Sequence, residues 1–426
     1  MTPDGPADRG SSRTYARYVL GVLLLTYTFN YLDRYVLTIL LEPVKQELGA
    51  SDTMMGFLIG PAFAVLYTTL GFPIARWADR GSRRSIIALG FAVWSAFTIA
   101  SGAVRSTLQL AVARIGVGIG EAAGAAPSHS LISDYFPPAS RARALSVFQV
   151  GVYLGQLLGL VVGGVLVGQI GWRWTFVVVG LPGLVLALVV RFTVREPVRG
   201  GLDPAPTAPD PVSIGETVRA LWKLPTFRLV AVGAGLASFA GTGYGFWIPT
   251  LFRRVHELSF TEIGTQFGLI SAVSAAAGSL IAGVLADKLG QRDVRWLLRV
   301  PALGVLLSLP CLLGVCLWPT PFGAMAFAIP SGLLGAGWAP PCYSVVQNLV
   351  PPAMRAVAAA VLIFFVTMLG MGLGPQVVGF LNDWLEPSLG HLAVRWSLVI
   401  VLSTSLLGAG LLALGARRLP EDLGAI

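Results

Sequence analysis

Twelve apolar stretches follow one another along this chain with short connections between them. Each is long enough, at about 20 residues, to cross a bilayer as a helix. They centre near residues 30, 65, 93, 121, 155, 182, 238, 273, 306, 334, 367 and 403. A helix apolar on all sides has no stable place in water, so this succession restricts the chain to an all-α bundle in lipid. The composition agrees: 12% of the 426 residues are charged and 51 are glycine, against about 25% charged residues in an ordinary soluble domain. So few charges could not coat a soluble core of this size. Cys311, Cys316 and Cys342 all lie inside apolar runs, which fits packing and suits neither a disulfide framework nor a thiolate metal site. The first sixteen residues are polar, and the run behind them holds Asp33 and Arg34, so a cleaved leader is not expected.

The two halves of the chain repeat one another. Asp79, followed by Arg83 and Arg84 between spans two and three, is answered by Asp287 and Arg292 between spans eight and nine, 208 residues on from aspartate to aspartate. Pro137-Pro-Ala-Ser-Arg141 before span five returns as Pro351-Pro-Ala-Met-Arg355 before span eleven, an offset of 214. Gly155, Gly159 and Gly164 return as Gly370, Gly374 and Gly379, an offset of 215. Glycines four apart share one helical face and let two backbones approach closely. Arg173-Trp174 is echoed by Arg395-Trp396. Four matches in the same order at a slowly growing offset identify a duplicated six-helix unit. The expected organisation is a six-helix bundle over 1–199, an exposed linker over 200–215 interrupted by Pro204, Pro206, Pro209 and Pro211, and a second six-helix bundle over 216–426.

Lysine and arginine bias sets the expected orientation. Lys45, Arg105, Arg173, Arg253, Arg254 and Arg395 fall in loops of one face and Arg34 and Arg114 inside spans, leaving 22 of the 30 basic residues on the face with both termini. Both termini are therefore expected in the cytoplasm, in a bacterial inner membrane. The net charge of +9 is a by-product of this topology. Because the basic residues are dispersed between apolar runs, no nucleic-acid partner is expected.

Two six-helix halves with a G-x-L-A-D-x-x-G-x-R loop resemble the major facilitator superfamily of secondary transporters. The second copy, Gly283 to Arg292, fits that loop closely, whereas the first has Ala75 and Ser82 where the glycines are usual. The resemblance implies alternating access by rocking of the halves, and it implies a cytoplasmic gate at Asp79, Arg83, Arg84 and Arg141 with Asp287, Arg292 and Arg355. Span one reads Asn30-Tyr31-Leu32-Asp33-Arg34, span four runs from Arg114 to Glu121-Ala-Ala, and span seven holds Gly245-Phe-Trp-Ile-Pro249. Together these are similar to the Spinster family, whose animal members export sphingosine phosphate and lysolipids. Organic anion:cation symporters share the N-Y-x-D-R stretch and the span-four glutamate, which leaves an organic anion:proton symporter as the alternative.

Asp33, Arg34, Arg114 and Glu121 lie well inside predicted spans. Each costs roughly 3 kcal/mol at mid-span, about 12 kcal/mol for four unpaired charges, so all four are expected to face the interior and pair. Arg114 and Glu121 are two turns apart, about 10 Å along one helix, too far for contact with each other. In the facilitator fold that the chain resembles, helices one and four both line the central cavity, which makes Asp33 and Arg34 the expected partners. Arginine stays cationic, but a carboxyl in a low dielectric can take a proton when its partner moves away. Asp33 is thus the expected coupling acid, Arg34 the partner-switching cation, and Arg114 with Glu121 the supporting pair; a fixed salt-bridge network is the other reading.

Tyr244, Phe246, Trp247, Trp338 and Tyr343 in the second half, facing Asn30 and Tyr31, give an aromatic wall opposite a charged one. Such a cavity suits an amphipathic small molecule, although these aromatics could equally pack or form interfacial belts. The expectation is a monomeric, proton-coupled transporter of an amphipathic or lipid-like substrate in the bilayer, driven by the proton gradient, with no cofactor and no metal. A membrane enzyme is disfavoured, because His129 between Ser128 and Ser130 has no second histidine or acid placed by sequence to complete a triad or metal site.

Overall fold

The computed structural model describes residues 13–199, 202, 213–351 and 354–424; within these, nothing is stated of the side chains of Phe72, Asp79, Ala139, Ala142, Ile214 and Ala356. Most of the 200–215 linker expected from the sequence, namely 200, 201 and 203–212, lies outside the described residues.

The first half comprises α1 (Arg13–Leu48), α2 (Asp52–Ile59), α3 (Pro61–Arg80), α4 (Arg83–Ser101), α5 (Thr107–Glu121), α6 (Ala125–Tyr135) and α7 (Pro138–Thr193). A short helix, α8 (Ile214–Lys223), precedes the second half. That half runs through α9 (Pro225–Val255), α10 (Phe260–Glu262), α11 (Gly268–Gly290), α12 (Trp296–Leu317), α13 (Pro321–Gly335), α14 (Ala339–Asn348), α15 (Arg355–Thr367), α16 (Gly374–Leu389) and α17 (Ala393–Leu423). π-helical turns at Ile263–Phe267 and Met368–Leu373 join α10 to α11 and α15 to α16.

The helices start where the sequence supplies a cap. Ser51, Ser82, Ser106 and Thr320 each accept a backbone N–H of the first turn, and Ser213 with Glu216 and Ser259 with Glu262 form reciprocal capping boxes. Proline opens α3, α7, α9 and α13, where its missing N–H costs nothing. Gly171, at φ 74, divides the 56-residue α7 into two arms, a bend that an L side chain would strain.

Eight described segments are long and apolar enough to span a membrane, and two of them, Arg143–Thr193 and Val357–Leu423 at 51 and 67 residues, exceed one crossing length. Helix α1, with its central charges, and α5–α6, broken at Ala122–Gly124, supply further rods. The helix order is consistent with twelve passes. Leu280, Ile281 and Val284 on α11 and Phe192 on α7 are exposed, as lipid-facing residues would be.

The start of α1 at Arg13 and the end of α17 at Leu423 define a terminal face, and the connections after α1, α9 and α16 define the opposite, distal face. The halves share a core on the distal side: Leu37, Leu40, Val44, Met55 and Leu58 pack in one cluster with Trp247, Leu251, Phe252, Val378 and Leu398. Towards the terminal face there are two cores instead of one. The first contains Leu23, Ile87, Phe91, Trp94 and Phe148; the second contains Phe227, Ala234, Val345, Leu362 and Leu412. The halves are therefore joined distally and separate terminally.

The repeated glycines explain this arrangement. A Cβ on Gly159 would meet the Leu32 carbonyl at 2.7 Å and one on its counterpart Gly374 the Phe239 carbonyl at 2.6 Å, so each half packs its fifth span on its first through the same device. Gly164 and Gly379 approach the opposite half, at Phe260 and Asp52. Gly56 does the same from α2, where a Cβ would lie 2.6 Å from the Pro375 carbonyl. Overpacking of this kind costs about 1–3 kcal/mol. Gly56→Ala is expected to loosen the distal closure and speed labelling of a single cysteine placed at Gln376 by about tenfold or more; unchanged labelling would show that this contact does not hold the halves together.

Candidate functional site

Midway along α1, Asp33 and Arg34 point in different directions because adjacent helical residues are about 100° apart. Both are buried, as are Arg114 and Glu121 on α5. Arg114 Nη1 donates to Asp33 Oδ2 at 3.1 Å. Arg34 places both Nε and Nη2 on Glu121 Oε2 at 2.6 Å. The spacing of Arg114 and Glu121 thus lets α5 serve two neighbouring residues of α1. Paired in this way the cluster sums to zero charge, and removing one partner of such a buried pair typically costs about 3–5 kcal/mol.

The surroundings of each pair differ. Arg34 lies 4.8 Å from the ring centroids of Tyr31, Phe63 and Tyr67, so aromatic faces replace water around its guanidinium. Thr98 on α4 donates to Asp33 Oδ1 at 2.9 Å. Two atoms of the cluster are left over: Glu121 Oε1 and Arg114 Nε are buried with no hydrogen-bond partner. The cluster therefore retains one free acceptor and one free donor, an arrangement that can accommodate a proton or a changed pairing.

Around it stand half-buried tyrosines. Tyr27, Tyr31 and Tyr35 follow one face of α1 at four-residue spacing, with Tyr67 on α3 and Tyr153 on α7. Tyr35 stacks on Phe246 of the other half with centroids 6.0 Å apart. Asn30 is buried within α1. Of the expected second-half aromatics, Tyr343 is half-buried on α14, Tyr244 packs partly buried against the shared core, and Trp338 borders the second-half terminal core. Trp247 departs from the expectation of a cavity wall. Its side chain is fully buried and its Nε1 donates to the Pro375 carbonyl at 2.9 Å, so it seals α9 to α16 as a core residue. Among the described residues no group of three His, Cys, Asp or Glu side chains is placed to hold a metal.

The distal face is closed by charges that sequence reading left as plain loop residues. Asp52 at the start of α2 is buried and receives Lys45 at 2.6 Å and a two-pronged Arg254 at 2.6 and 2.8 Å. Arg254, from α9, also reaches Glu42. Asp383 on α16 accepts the backbone N–H groups of Asp52 and Thr53 at 2.9 and 2.7 Å, so one half caps a helix of the other. A cleft of about 470 Å³ lined by Glu42, Gln46, Arg253, Arg254 and Glu257 opens beside this closure. The one sequence signal for it was Ser51-Asp52, a helix start that a second carboxylate could cap.

On the terminal face, Arg83 is fully buried and clamps three elements of the first half. It donates to Asp134 at 2.5 Å, to Ser130 and, through Nε, to Glu196 at 2.7 Å. Arg84 gives its backbone N–H to Glu196 and its guanidinium to the Val194 carbonyl, and Arg141 donates to the Ser133 carbonyl. The Asp79 side chain lies outside the described residues. Asp287, Arg292 and Arg355 are exposed on the second half. Partial burial alone would raise the Glu196 carboxyl, but the Arg83 guanidinium and the Arg84 N–H outweigh it and hold the group below the ordinary glutamate range. A depressed folded value adds stability above the unfolded pKa that is lost as pH falls through the folded one. With Glu196 partly exposed, Glu196→Gln is expected to cost about 1 kcal/mol at neutral pH, with the melting difference from wild type shrinking below about pH 4.

Comparison with known proteins places this geometry in context. Residues 23–375 match the family model of the Major Facilitator Superfamily. An MFS-type efflux pump of Mycolicibacterium smegmatis is 35% identical over 98% of this chain and 96% of its own length. A sphingosine-1-phosphate transporter of Danio rerio is 27% identical, covering 86% of this chain and 76% of that protein. A crystal structure of a bacterial homologue of the human lysosomal transporter Spinster, inward-facing and unoccupied, is 30% identical and superposes with a TM-score of 0.89 over 97% of this chain and 99% of that one.

Proposed function

The chain belongs to the major facilitator superfamily, in its Spinster-like branch, and is an integral multi-pass membrane transporter; on that footing we propose that it expels an amphipathic, lipid-like molecule in exchange for protons. Transporters of this class perform no covalent chemistry on their cargo. The observation that carries the proposal is the buried pairing of Asp33 with Arg114 and Arg34 with Glu121, which leaves Glu121 Oε1 and Arg114 Nε free. Protonating either carboxyl takes the cluster from zero to +1, and the released arginine can then hold an anionic head group or pair elsewhere.

The polar requirement sits on α1 and α5, while tyrosines of both halves supply apolar faces with polar tips, a combination suited to a charged head on a hydrocarbon tail. Outward direction draws on the efflux pump, and lipid-like cargo on the sphingosine-1-phosphate transporter. With both termini in the cytoplasm of a bacterial inner membrane, the distal closure faces outward and the separation between the terminal cores opens inward. Asp79, Arg83, Arg84, Arg141, Asp287, Arg292 and Arg355 then serve the state in which the terminal face closes. Each chain carries both walls of the path, so a monomer suffices, and the proton gradient replaces any cofactor.

Proteoliposomes with an imposed pH gradient test the cargo. Movement of lysophospholipid or sphingosine phosphate that collapses with a protonophore is the expected result, and movement of small carboxylates alone would overturn the lipid reading in favour of an organic anion symporter. Asp33→Asn tests the coupling. Exchange at equal pH should persist while the response to a pH gradient is lost; an unaltered pH response would remove Asp33 from the mechanism.

A further inference from the structure

Helical serines and threonines in this chain commonly return their hydroxyl proton to a carbonyl three or four residues back, as Thr26, Thr38, Thr68, Ser101 and Thr242 do. Thr98, three residues before Ser101 on α4, is fully buried and instead sends its proton to another helix, to Asp33 Oδ1 at 2.9 Å. With Arg114 on Oδ2 at 3.1 Å, the Asp33 carboxylate is gripped at both oxygens from two different helices. We propose that Thr98 is a positioning residue that keeps Asp33 ionised and turned towards Arg114, and so sets how readily Asp33 accepts a proton; this rests on the proton-coupling reading given above.

The physical argument is the difference between two hydrogen bonds. A hydroxyl donating to a carboxylate makes a charge-assisted bond roughly twice as strong as one donating to a protonated acid, so Thr98 opposes protonation. It also fixes rotation of the carboxyl group. With Oδ1 anchored on α4, Oδ2 faces α5, and the proton must enter on the Arg114 side. Displacing α4 relative to α1 removes the donor, which ties the proton affinity of Asp33 to the packing of a third helix. The other groups around Asp33 do not supply this restraint. Arg114 and Glu121 on α5 and Arg34 on α1 are charged and already engaged in the two ion pairs. Tyr27, Tyr31 and Tyr35 on α1, Tyr67 on α3 and Tyr153 on α7 are titratable hydroxyls bordering the cluster, and Tyr67 and Tyr31 serve the Arg34 side. Thr98 is the neutral donor on Oδ1.

Infrared titration of the protonated-carboxyl stretch, on purified full-length protein with isotopically labelled aspartate, tests this, with Asp33→Asn identifying the band. Thr98→Val keeps the volume and removes the donor. It is expected to move the midpoint of the Asp33 band upward by about one pH unit, while Thr98→Ser, which keeps the hydroxyl, stays within a few tenths of wild type. An unmoved midpoint in Thr98→Val, or an equal shift in Thr98→Ser, would overturn the proposal by showing that Thr98 only packs. If Thr98→Val does not fold, Thr98→Cys, a weaker donor, takes its place with the same two outcomes. A wild-type band that Asp33→Asn leaves intact removes the coupling reading itself; an Asp33-dependent band that Thr98 variants leave unmoved removes this proposal alone.

Discussion

A charge inside an apolar bundle cannot rely on water, and the two ion pairs between α1 and α5 are this chain's answer to that constraint. Asp33 with Arg114 and Arg34 with Glu121 satisfy four charges with two contacts, and the pairing dictates much else. Helices α1 and α5 must come within reach of each other's long side chains, α4 must bring Thr98 to Asp33, and α3 must supply Phe63 and Tyr67 as the walls around Arg34. Close approach is possible because small residues stand at the crossings. A Cβ on Gly120 of α5 would meet the Trp94 backbone nitrogen of α4 at 2.5 Å. Glycine at the crossings and charge at the centre are two parts of one solution.

Much of this was legible in the sequence because it is periodic. The apolar stretches gave the rods, and the offset of the glycines predicted equivalent packing in the two halves, which Gly159 against Leu32 and Gly374 against Phe239 now display. The partners of Arg114 and Glu121 could be named because the facilitator fold that the sequence resembles lines one cavity with helices one and four.

What stayed illegible depends on contacts distant in sequence. Asp52 meets Arg254 across 202 residues and Asp383 caps Asp52 across 331, and beyond the helix start at Ser51-Asp52 nothing in the pattern around these residues distinguishes a latch from an ordinary loop. Thr98 reads as one more small polar residue in an apolar helix until its hydroxyl direction is seen. Trp247 failed as a cavity residue for the opposite reason. An aromatic in a helix at cavity depth has a full turn of directions to choose from, and the Pro375 carbonyl decided this one.

The cap that Asp383 provides to α2 has a consequence for how the halves part. When they separate at the distal rim, the Asp52 and Thr53 amides lose a carboxylate but meet solvent entering from the neighbouring cleft, and water can replace most of that bond. The same exchange is impossible at the centre, where an unpaired Asp33 or Arg34 has no solvent to turn to. Rupture is therefore less costly at the rim than at mid-depth. On the proposed coupling, the periphery opens and closes on thermal energy while the centre decides when that movement becomes a completed cycle.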